Sequence, residues 1–144
     1  MGLFGGKTNY KETMRSCLKN IMLDLVKSDP EFGNAVVPII SDAELMIRQQ
    51  SENELAKGIR ENHVNVECAA LNILQNCAMY SIKPKSTYDY LSSAIHGEED
   101  YANRLFDYVN KLKFEKGYIS KEQYDENALL ATKLSISSPL GDWF

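Results

Sequence analysis

A chain of 144 residues, 44% hydrophobic and 25% charged, has the length and mix of one globular domain rather than a disordered tail. Its formal net charge of −4 excludes the basic footprint of a protein that coats nucleic acid, so no nucleic-acid partner is expected. Three cysteines, Cys17, Cys68 and Cys77, make neither an even disulfide framework nor a metal knuckle, and read as small buried hydrophobes in a reducing, cytoplasmic compartment.

The start of the chain, Met1 to Thr8, lacks the basic region and apolar run of a secretory leader. Gly6 stands where a myristoylation motif wants Ser or Thr. No stretch is long and apolar enough to span a bilayer, so no membrane partner is expected; the nearest, Val64 to Ile82, carries Glu67 and several amides. The first helix is predicted over Asn9 to Lys27, where Met14, Leu18, Met22, Leu25 and Val26 fall on one side. A second runs from Pro30 to Gln50 behind Asp29, with Pro38 expected to break or bend it.

A third helix is predicted over Glu52 to Tyr80 and is expected to be the buried centre of the bundle. Leu55, Ile59, His63, Val66, Ala70, Ile73, Cys77 and Tyr80 follow one another at spacings of three or four, with His63 in the middle of the stripe. Asn62, Asn65, Asn72 and Asn76 make a second line at the same spacing. Buried amides must be paired, because an unsatisfied one costs about 1–3 kcal/mol. They pair inside the bundle, form a ladder across a dimer interface, or line a ligand pocket with His63 and Glu67. His63 and Glu67 are also too few to hold a metal tightly, and His96 with Glu99 or Asp100 would supply the rest if the helices meet.

Lys83-Pro84-Lys85 ends that helix, and a short one is predicted over Thr87 to His96. A hairpin follows: one helix from Glu98 to Lys116, stopped by Gly117, and another from Lys121 to about Ile136. Ser28…Glu31, Ser41…Glu44, Ser51…Glu54 and Ser120…Gln123 have the spacing of capping boxes, with Asn9…Glu12 and Ser86…Asp89 as looser versions. The chain finishes on the apolar tail Pro139 to Phe144, whose Trp143 and Phe144 are expected to dock on their own body or on another subunit. Tyr101, Leu105, Tyr108 and Leu112 form a stripe that suits a core face, while Tyr101 and Tyr108 also suit an interface.

Leu105, Leu112, the run Lys116-Gly117-Tyr118-Ile119-Ser120-Lys121-Glu122-Gln123-Tyr124 and Leu129-Leu130 resemble the short helical hairpin called the SHOCT domain over residues 105–134. Leu129-Leu130 arrives about two residues early, and the lysine usual before it is absent. The resemblance implies an accessory, self-associating helical module rather than an enzyme.

The expected fold is therefore all-α: one domain, a compact bundle of about six helices around a buried central helix near residues 52–80. No phosphate loop, dinucleotide fingerprint or nucleophile elbow is present, and no cofactor is implied. The expected function is a non-enzymatic binding protein, acidic and self-associating, acting by protein–protein contact as an inhibitor, adaptor or immunity-type protein does. The alternatives are a small-ligand sensing or sequestering protein with His63, Glu67, Asn72 and Asn76 in its pocket, and a metal-dependent enzyme using His63 and Glu67.

Overall fold

The computed structural model describes residues 9–82 and 100–135. Six helices and no strand are found among them: α1 (Tyr10–Ser28), α2 (Pro30–Gln49), α3 (Glu52–Glu61), α4 (Val66–Ser81), α5 (Tyr101–Glu115) and α6 (Lys121–Ser135). The all-α bundle expected from the periodicity is what the chain forms. The helix predicted at Thr87–His96 and the tail with Trp143 and Phe144 lie outside the described residues.

α1 and α2 form an antiparallel hairpin joined by a single residue. Asp29 ends α1 by donating its N–H to the Leu25 carbonyl at 2.8 Å, and its carboxylate starts α2 by accepting from the Phe32 N–H at 3.2 Å. Pro30 takes the first helical position, where a missing donor costs nothing. So tight a turn brings the two backbones together at Gly33. A Cβ there would lie 2.5 Å from the Val26 nitrogen and 2.7 Å from the Leu25 carbonyl carbon, so only glycine fits. Ser28 is thus the last residue of α1 and no cap for α2, and Ser41 lies within α2; neither expected box forms. Ser51…Glu54 and Ser120…Gln123 do form, each with reciprocal hydrogen bonds of 3.0 to 3.1 Å.

Pro38 does not break α2, which runs unbroken over 20 residues. Both Pro38 and Asn34, the residue whose carbonyl loses its helical donor, are exposed, so water can take the place of the missing N–H.

One hydrophobic core unites the elements. Met14, Leu18 and Leu25 of α1 and Val36, Ile40 and Ile47 of α2 meet Leu71 and Leu74 of α4 and Leu105, Phe106 and Val109 of α5. α4 packs against α1, α2 and α5, and α6 lies along α5. The start of α3 is tied to the start of α1: the Glu52 carboxylate accepts the otherwise free N–H groups of Tyr10 and Lys11 at 2.9 and 2.8 Å.

The expected central helix over Glu52–Tyr80 is two helices. α3 ends at Glu61 and α4 begins at Val66. At the break His63 has φ 53°, its N–H donates to the Arg60 carbonyl at 3.3 Å, and the Val64 N–H donates to the Ile59 carbonyl at 3.2 Å. This is the Schellman geometry, with histidine where glycine usually stands. Asn65 then caps α4 through the Cys68 N–H at 2.7 Å.

Candidate functional site

The break in the middle of the chain scatters the residues that spacing alone places together. His63 is exposed, outside both helices, and the adjacent-turn geometry it would share with Glu67 does not exist. Glu67, in the first turn of α4, instead faces the end of α5: its carboxylate accepts from the Tyr118 hydroxyl and lies 3.3 Å from the Lys116 ammonium. The Tyr118 bond, with Lys116 behind it, holds the Glu67 carboxyl below its ordinary range. No group of three or more His, Cys, Asp or Glu gathers to hold a metal among the described residues.

The asparagine line is not a buried ladder. Asn62 donates to the Gly58 carbonyl at 2.8 Å and Asn65 caps α4, so two of the four punctuate the break. Asn76 is exposed and only Asn72 is half-buried. The buried amides are others: Gln75 and Asn110. Asn110 joins α5 to α6, donating to the Tyr124 carbonyl and accepting from the Asn127 amide, both at 3.0 Å.

Gln75 accepts a 2.8 Å hydrogen bond from Lys113, a lysine on α5 only 6% exposed. Among the described residues no carboxylate pairs with that ammonium, and burial pushes its pKa down. The periodicity of α5 carries the signal for Lys113: Ala102, Phe106 and Val109 continue at helical spacing through Asn110 to Lys113. A lysine on a buried stripe asks for partners, and among the described residues the core provides one neutral acceptor, Gln75.

Lys113 opens onto a cleft of about 540 Å³ walled by two turns of the same design. One is the His63 turn. The other ends α5, where Gly117 has φ 78°, its N–H donates to the Phe114 carbonyl at 3.0 Å, and Tyr118 donates its N–H to the Lys113 carbonyl at 2.9 Å. His63 and Asn72 line the cleft with Lys113 and Tyr118; Glu67 and Asn76 do not.

A second feature lies along α2 and α4. Leu45 and Met46 of α2 are each 48% exposed and Tyr80 of α4 is 85% exposed. The Met46 sulfur lies 3.4 Å from the Cys77 sulfur, so α2 and α4 share this surface, and Ile73, Asn76 and Tyr80 continue it along α4. It runs into an apolar groove of about 260 Å³ lined by Met14, Leu55, Ile59 and Ile73.

The two tyrosines expected at an interface are both half-buried. The Tyr101 hydroxyl donates to Glu31 at 2.5 Å and its ring stacks on Phe32 with centroids 6.1 Å apart. Tyr108 lines a recess between α1 and α5 with Leu25 and Arg104. The cysteines are free thiols whose pKa values are raised by burial first of all. No described helix is long and apolar enough to cross a membrane. Comparison with protein-family models, with curated proteins and with solved structures finds no match to this chain.

Proposed function

We propose that this is a non-enzymatic helical protein that acts by protein–protein contact and associates with itself through the α2/α4 face. The observation that carries the reading is Tyr80, a large aromatic side chain left 85% exposed on α4, with Leu45 and Met46 of α2 at 48% each. Scattered apolar side chains on a surface need no explanation, but Met46 touches Cys77 of the packed helix α4 and lines an apolar groove with Ile73, which has the make-up of an interface core. A second copy suits this face. Asn76 is exposed on α4 beside it, and an amide both donates and accepts, which lets it pair with its own symmetry mate across a twofold axis. The likeness of residues 105–134 to the SHOCT hairpin supports the same class of function.

The test is the molar mass in solution of the full chain and of Met46→Glu and Tyr80→Glu, both at exposed positions. The wild type is expected to be dimeric and both variants monomeric, with unchanged helical circular dichroism. Variants that stay dimeric would place the contact elsewhere and remove this face from the account.

A further inference from the structure

We propose that the cleft between the His63 and Gly117 turns is a binding site for a small aliphatic carboxylate, with Lys113 as its counter-ion and Asn72 as a second donor. The site goes beyond the self-association reading and rests on Lys113 of α5, which is not part of that surface.

An ammonium only 6% exposed needs an anion or several neutral acceptors, and among the described residues Lys113 has one, the Gln75 carbonyl oxygen at 2.8 Å. Gln75 is itself held by the core, its amide donating to the Phe106 carbonyl at 3.5 Å, so the lysine is fixed from behind while two N–H bonds remain. Lys113 lines the cleft of about 540 Å³, within the size range of small-molecule sites. Glu126, a carboxylate among the lining residues, is exposed and makes no ion pair with Lys113. Among the described residues the site therefore has a cation without an anion, the role a bound carboxylate would fill.

The ligand class follows from the lining. Lys113 is the one lysine or arginine among the described lining residues, which matches a monoanion; a phosphate dianion calls for a cluster of cations or free helix N–H groups. The nearest helix start, that of α4, has its Cys68 N–H already bonded to Asn65. Val64 and Ile119 offer apolar surface for a short alkyl tail, and Asn72 adds an amide from α4.

The experiment is a titration of the full-length, isotope-labelled chain followed by amide chemical shifts. Butyrate is the probe, butyramide its neutral isostere and inorganic phosphate the competing anion. Butyrate is expected to saturate with a Kd on the order of a millimolar, shifting amides at Asn72, Lys113 and Tyr118, while butyramide leaves them unmoved. Lys113→Met is expected to weaken butyrate binding by about tenfold or more, the worth of one charge-assisted hydrogen bond. Asn72→Asp keeps the lysine but sets a like charge beside the ligand, and is expected to weaken binding as much; it serves if the lysine variant does not fold. The proposal is overturned by no saturable shift with butyrate, by an equal response to butyramide, by binding that survives both substitutions, or by phosphate binding more tightly than butyrate.

Discussion

At residue 63 the backbone takes φ 53°, a left-handed conformation that a side chain makes costly and glycine does not. The imidazole is exposed, so removing it leaves no hole. His63→Gly is expected to raise unfolding stability by about 0.5–1 kcal/mol in urea denaturation; a loss of stability would mean that the side chain itself holds the turn. Lys113 makes a prediction of a different kind. Its folded-state pKa is lowered by burial, so the unfolded chain binds more protons between the folded and unfolded values. The penalty for burying the charge is fully present below the folded pKa and disappears as pH rises through that value towards the unfolded one. Wild-type stability relative to Lys113→Met is therefore expected to rise with pH on the approach to about pH 10, the ordinary value of lysine. A pH-independent difference between the two proteins would show that the ammonium is already compensated. The sequence shows Lys113 only to a reader who carries the α5 stripe past its last apolar residue. It shows His63 in the wrong place, because a helical wheel assumes that the helix continues.

At the scale of single elements, two glycines test the packing with opposite signs. Gly33→Ala would bring a Cβ within 2.5 Å of the α1 backbone, which cannot move aside as a side-chain tip can. It is expected to cost about 1–3 kcal/mol, despite the better helix propensity of alanine. Gly58→Ala, in α3 with nothing within 4 Å of the added atom, is expected to stabilise by about 0.5–1 kcal/mol. Thermal unfolding of the pair checks both; equal effects would mean that α1 and α2 are not in backbone contact at Gly33. Helix existence was legible in the sequence because caps and periodicity agree at most ends: Asn9, Asp29, Ser51 and Ser120 all start helices as their chemistry requires. The break at residues 62–65 was not, since no proline or glycine marks it and the apolar spacing runs straight through. Its signals, Asn62 as one cap and Asn65 as the next, were instead counted into a line of buried amides.

Across the whole molecule, one core is closed by α1, α2, α4 and α5, and α4 gives it only one side. The sequence shows a helix apolar almost all round and suggests full burial; the structure covers Ala70, Leu71, Leu74 and Ala78 and leaves Asn76 and Tyr80 out. Composition says that such a helix is buried somewhere, and cannot say whether its last face waits for the same chain or for another. The account's central claim is that another copy covers it. Sedimentation equilibrium of the unaltered chain over a wide concentration series tests this most directly. The account predicts a mass that climbs from one chain to two as concentration rises. A mass that stays at one chain throughout would contradict it.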